Sequence, residues 1–115
     1  MGSLLKHESR NGINIIRLYF SEITLQESES IKEQLSDLVL PENKKFIIDL
    51  SKVGFVSSLV VGIMLFFFKK VEANGGQLKI CGLSPEAFTV FQITKTDTII
   101  SLYPTEAEAI ENFTP

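Results

Sequence analysis

Residue types that carry chemistry are thinly spread in this chain. His7 is the single histidine and Cys81 the single cysteine. Neither is surrounded by Cys, Asp or Glu at metal-ligand or nucleophile–base spacing. His7 falls in the first strand-like run, which argues against a metal ligand or a general base. Cys81 ends the apolar run QLKIC, where a thiol behaves as a small buried hydrophobe. Gly75-Gly76 is not followed by a Lys-Ser or Lys-Thr pair, and there is no GxGxxG, so a phosphate-cradling loop is unsupported. No catalytic, cofactor or metal constellation emerges, which points away from an enzyme. What stands out is Ser57-Ser58 in DLSKVGFVSSLVVG, residues 49–62. Two hydroxyls sit where a strand-like run gives way to a very apolar one. Helix capping explains one of them, because a serine just ahead of a helix accepts a hydrogen bond from a free backbone N–H, worth about 1 kcal/mol. The other hydroxyl admits a second use. A phosphoryl group there would meet the positive end of the helix dipole. It would bring roughly two negative charges to an apolar corner, turning a docking surface off while the fold stays intact.

The elements that must hold these serines can be read from pattern. Leu4 to Glu8 and Ile13 to Tyr19 flank Arg10-Asn11-Gly12, and Asn-Gly between two apolar-rich runs predicts an antiparallel hairpin. Thr24 and Glu27 form a capping box ahead of Ile31, Leu35, Leu38 and Val39 at helical spacing, and Pro41 marks the stop. Phe46 to Leu50 is a continuous apolar run broken only by Asp49, the mark of a strand covered on both faces. Leu59 to Ala73 reads as a helix ended by Asn74-Gly75-Gly76. Gln77 to Cys81 is the next strand, and Ser84-Pro85 open a helix carrying Phe88 and Phe91. Ile99 to Tyr103 reads as a further strand. Thr105 and Glu108 make a second capping box for a last helix running to about Phe113. From position 46 onward strands and helices alternate, which demands parallel crossovers.

At 115 residues the chain suits one domain, spanning 1–115, with no internal repeat. Its net charge is −3, with 44% hydrophobic and 22% charged residues. Lys and Arg are scattered, with no basic stripe to neutralise phosphates, which argues against nucleic-acid binding. The longest apolar run, Leu59 to Phe68, is about half the ~20 residues of a membrane-spanning helix, which argues against membrane insertion. That helix is nonetheless more apolar than one stripe on a sheet requires. Val60, Met64, Phe67, Phe68 and Val71 share one face, whereas Leu59, Leu65 and Phe66 fall among Lys69, Lys70 and Glu72. The surplus predicts a partly exposed patch of Leu59, Leu65 and Phe66, with Gly62 allowing close approach. The alternative is that neighbouring helices cover it.

FIIDLSKVGFVSS, then a helix, then NGGQLKICGLSPEAF and a closing TEAEAI, resembles the STAS domain family, whose small free-standing members are bacterial anti-sigma-factor antagonists. The likeness covers nearly the whole chain. The matching positions are Asp49-Leu50, Phe55-Val56, the 57–62 motif, Gly75-Gly76 and Leu83-Ser84-Pro85, and Ser21-Glu22-Ile23-Thr24 looks like the family's early Gly-Glu-Leu-Asp element. The resemblance implies an α/β fold: a mixed sheet of four to five strands with an antiparallel N-terminal hairpin and about four helices. It implies a cytoplasmic, non-enzymatic binding protein without cofactor. The unphosphorylated form would bind an anti-sigma factor that is also a serine kinase. Phosphorylation would end the binding and a phosphatase would restore it. The matching acceptor is Ser58, with Ser57 the second choice. The partner-binding residues would be Ser57, Ser58, Leu59, Gly62, Leu65 and Phe66, and the apolar patch serves either such a partner or a homodimer. Three positions depart from the family pattern: Ser57 replaces an Asp, Leu59 a small residue and Val60 a Gly. Leu59 and Val60 in place of small residues favour the alternative of a docking subunit that binds without phosphorylation, in a transporter or stress-signalling complex.

Overall fold

The computed structural model describes residues 3–113. The elements follow in the order β1 (Leu5–Arg10), β2 (Ile13–Leu18), α1 (Leu25–Asp37), β3 (Lys45–Asp49), α2 (Ser58–Ala73), β4 (Gln77–Cys81), α3 (Pro85–Ile93), a 3-10 turn (Thr96–Thr98), β5 (Ser101–Tyr103) and α4 (Glu106–Glu111). Asn11 and Gly12 both take positive φ, 53° and 81°. That is the conformation a two-residue hairpin loop needs, and it sets the antiparallel register in which Arg10 faces Ile13.

The sheet has the order β1-β2-β3-β4-β5, with β2 to β5 parallel. Every parallel crossover therefore steps in the same direction. Because such crossovers are right-handed, successive crossover helices land on the same face. Accordingly, Ile31 and Leu35 of α1, six buried residues of α2, and Ala87 and Phe91 of α3 join one core with Ile16, Leu18, Phe46, Ile48, Leu78 and Ile80. Phe46 and Phe67 meet edge to face at 5.1 Å between ring centres. The other face of the sheet is covered by α4, where Ala109 packs with Ile13, Ile15, Ile47 and Cys81. The doubly covered reading of β3 holds, since Phe46, Ile47 and Ile48 are all fully buried.

Local signals act as the sequence implies at most ends. Thr24 and Glu27 close a reciprocal capping box, and Ser84 caps α3 with Pro85 at its first turn. The end of α2 is a paired turn: Gly76 N–H donates to Val71 O and Gly75 N–H to Glu72 O, both at 2.9 Å, with Gly75 at φ 76°. Some readings need correction, among them the start of α2, which lies at Ser58 rather than Leu59. The strand expected from Ile99 begins at Ser101, because the Thr94 and Thr96 hydroxyls bond to each other (2.7 Å) and Lys95 turns left-handed at φ 62°, folding 96–98 into a 3-10 turn. The first strand runs to Arg10 rather than Glu8, since pairing continues up to the turn. The last helix stops at Glu111. At its start Thr105 accepts from Glu108 N–H (3.2 Å), but the returning carboxylate bond of a full box, present at Thr24, is not formed there among the described residues. Among the described residues no helix is long and apolar enough to cross a membrane.

Candidate functional site

The segment that carries the two serines is pinned at three points. At its start, Ser51 N–H donates to Asp49 Oδ1 (2.9 Å) and Val53 N–H to Leu50 O (3.0 Å). In its middle it is stitched to the β2–α1 loop: Val53 bridges to Phe20, Gly54 N–H donates to Phe20 O (2.9 Å) and Phe55 N–H to Ser21 O (2.8 Å). A Cβ at position 54 would lie 3.0 Å from Ser21 Cα, so glycine permits this approach. At its end Val56 is buried and Ser57 caps α2.

The structure separates the two serines. Ser57 has extended backbone, its Oγ accepts from Leu59 N–H (3.2 Å), and its carbonyl accepts from the N–H groups of Val60 and Val61. It is half-buried and committed to the cap. Ser58 is the first helical residue, is exposed, and its hydroxyl makes no hydrogen bond among the described residues. The first turn of α2 holds no acidic side chain, so nothing there already offsets the helix dipole.

The remaining predicted positions are distributed along α2. Leu59 is half-buried beside Ser58, whereas Val60 is fully buried and faces the core. Gly62 is half-buried, and a Cβ there would meet nothing within 4 Å. Leu65 and Phe66 are half-buried two turns beyond Ser58, about 10–12 Å along the axis. Leu65 packs against the core, and the Phe66 ring lies between the ammonium groups of Lys32 on α1 (5.6 Å) and Lys70 (5.7 Å). Helix α1, lying alongside, thus covers part of the apolar surplus.

The large exposed apolar side chains of this region lie on the β3–α2 loop and α3 rather than on α2. Phe55 is 56% exposed and Ile93 is 74% exposed, with Phe88 also exposed. A shallow cavity of about 280 Å³ lies between the loop and α3, lined by Val53, Phe55, Val56, Ala87 and Val90, with Ser84 and Glu86 at its rim. Sequence periodicity missed this surface, because it assigns faces to helices and strands and is silent on loops. The signal available was Phe55 itself, an aromatic residue in a loop.

Burial, reinforced by the nearby charges of Asp49 and Glu106, pushes the Cys81 thiol up to about 12. His7 Nε2 is 2.9 Å from Asn14 Oδ1, with no carboxylate partner among the described residues. The structure does gather charges that no spacing announced: Arg17 meets Glu8, Asp49 and Glu106. Asp49 in an apolar strand was the visible trace of that group.

Comparison with known proteins places these features in context. The STAS domain family matches residues 5–109. The anti-sigma-B factor antagonist of Listeria monocytogenes is 30% identical over 87 residues, 76% of each chain. The solved anti-sigma-factor antagonist (STAS) domain protein of Planctomyces limnophilus superposes with a TM-score of 0.81 at 23% identity, covering 93% of this chain and 95% of that one. The anti-sigma factor antagonist SpoIIAA in its unphosphorylated form superposes with a TM-score of 0.76 at 24% identity, covering 93% of both chains. The phosphorylated form of Bacillus SpoIIAA gives 0.70 at 24% identity, covering 93% of this chain and 96% of that one.

Proposed function

The chain belongs to the STAS domain family, and on that premise we propose that it is an anti-sigma-factor antagonist switched by phosphorylation of Ser58. It acts as a binding protein and kinase substrate, not as a catalyst. The unphosphorylated form docks on an anti-sigma factor that is also a serine kinase, through the Ser57–Gly62 segment and the outward side of α2 with Leu65 and Phe66. The exposed Phe55 and the cavity against α3 adjoin that segment and extend the docking surface. A phosphatase reverses the modification. The setting is the bacterial cytoplasm.

The observation that carries the acceptor assignment is the division of labour between the serines. Ser57 uses its hydroxyl oxygen as the helix cap, while Ser58 stands exposed with a free hydroxyl one residue on. The backbone N–H groups of Leu59, Val60 and Val61 are already taken by Ser57. A phosphate on Ser58 therefore stays at the surface, where its charge meets an incoming partner. One family departure loses weight here: Val60 is buried in the core and presents no bulk to a kinase.

The test is phosphosite mapping by mass spectrometry of the protein from its native cells across growth and stress, joined to partner capture with Ser58→Asp. Phosphate on Ser58 and loss of the captured kinase by the Asp variant are expected. An unmodified Ser57–Ser58 peptide under every condition, with undiminished capture by Ser58→Asp, would overturn the switch. That result would leave a docking subunit that binds constitutively, the reading that half-exposed Leu59 in place of a small residue favours.

A further inference from the structure

Apart from the serine site, the densest set of charged side chains lies on the α4 face of the sheet. Arg17 Nη1 donates to Asp49 Oδ2 (2.8 Å) and to Glu106 Oε1 (2.5 Å), and Arg17 Nη2 to Glu8 Oε1 (2.8 Å). Arg10 spans Glu8 and Glu106 at 3.3 Å each. One guanidinium on β2 thus collects a carboxylate from β1, one from β3 and one from α4.

Asp49 is the member that reaches the docking surface. It is 8% exposed, and both its oxygens are used. Oδ2 takes Arg17, and Oδ1 takes the N–H of Ser51, the second residue of the loop that ends at Ser57. The same Oδ1 lies against Gly82, where a Cβ would come within 2.4 Å of it and within 2.9 Å of Ser51 N. Leu50 N–H donates to Cys81 O (3.0 Å) alongside. Ser51 in the β3–α2 loop and Gly82 at the start of the β4–α3 loop therefore both lie against this one carboxylate.

We propose that Arg17 is a positioning residue for the docking surface, acting through Asp49 on the start of the β3–α2 loop. A carboxylate held by a guanidinium on one oxygen and a backbone N–H on the other keeps a single orientation. Without Arg17 a buried, uncompensated charge remains, and it turns toward water. Ser51 N–H then loses its acceptor, and the turn closed by Val53 loosens with it. The functional meaning rests on the antagonist reading; the structural content does not.

Amide hydrogen exchange on the full-length protein tests this, with Arg17→Met and Arg17→Lys against the parent. The amides of Ile48 and Ile80, in the central strands, report global opening and serve as the reference. In Arg17→Met, exchange at Ser51 and Val53 is expected to rise about tenfold beyond any change at the reference amides. Arg17→Lys keeps the charge but not the fork, and is expected to recover part of the protection; it also serves if the Met variant does not fold. Loop exchange that moves only in step with Ile48 and Ile80 in both variants would overturn the proposal. No partner enters the measurement, so its failure leaves the antagonist reading standing, and an unmodified Ser58 leaves this proposal standing.

Discussion

Replacing the two serines one at a time separates the capping serine from the proposed acceptor by stability alone. Ser57→Ala removes the side-chain acceptor of Leu59 N–H at the start of a 16-residue helix. Loss of such a cap costs about 1 kcal/mol. For 115 residues an unfolding entropy of about 2.1 cal/mol/K per residue converts this to a fall in Tm of roughly 4 °C. Ser58→Ala removes a hydroxyl with no partner at the first helical position, and is expected to change stability by less than about 0.5 kcal/mol. Ser58→Asp places a negative charge in a first turn that has none. It is expected to raise stability by about 0.3–1 kcal/mol at low ionic strength, with the gain fading as salt rises. Urea denaturation of the three variants with a common m-value is the assay. Partner loss in Ser58→Asp then cannot be ascribed to unfolding. The reasoning is refuted if Ser58→Ala is destabilised as much as Ser57→Ala, because the helix would then begin one residue later than drawn.

Other consequences can be checked separately. Gly82 has φ 75° and no room for a side chain. Gly82→Ala should therefore lower the unfolding free energy read from urea denaturation by more than about 2 kcal/mol, whereas Gly62→Ala, whose Cβ meets nothing, should stabilise α2 slightly. Cys81 is buried with its thiol pushed up to about 12. A thiol reagent at pH 8 should leave the native protein unmodified and react fully in denaturant. Hydrogen bonds from Arg17 and then Arg10 hold the Glu8 carboxyl below its ordinary 4.5. The unfolded chain thus binds its proton first, so this contribution is complete above about pH 5 and disappears as pH falls through the lower folded value. Glu8→Gln should flatten the acid limb of a stability–pH curve and leave the neutral limb unchanged.

What could be read in the chain without coordinates was whatever is encoded locally. Asn11-Gly12, the Thr24–Glu27 box, Ser84-Pro85 and Gly75-Gly76 each specify an end by their own stereochemistry, and each end falls there. The stretch after α3 resisted, because Ile99 and Ile100 look like the start of a strand. Only the buried Thr96 and the left-handed Lys95 reveal a turn. The two serines were visible as a pair, but which one caps depends on a helix start that differs by one residue between the readings. Arg17, Glu8 and Glu106 left no trace at all, since charges 9 and 89 positions from Arg17 share no period with it.

The agreement between strand order and chain order has a kinetic consequence. Each strand, as it leaves the ribosome, finds its neighbour already in place at the growing edge. The sheet can be extended one strand at a time, with no partner awaited from downstream. Each parallel pairing joins strands consecutive in the chain, such as Ile13 with Lys45 and Lys79 with Ser101, which keeps contact order moderate for a largely parallel sheet. An exception is the group of contacts that α4 makes with the first strands, among them Ala109 with Ile13 and Glu106 with Arg17, the latter 89 residues apart. It can form only after β5 has joined. On this route the Arg17 cluster closes last, and Asp49 gains its full set of partners only when the sheet beneath the serine loop is complete.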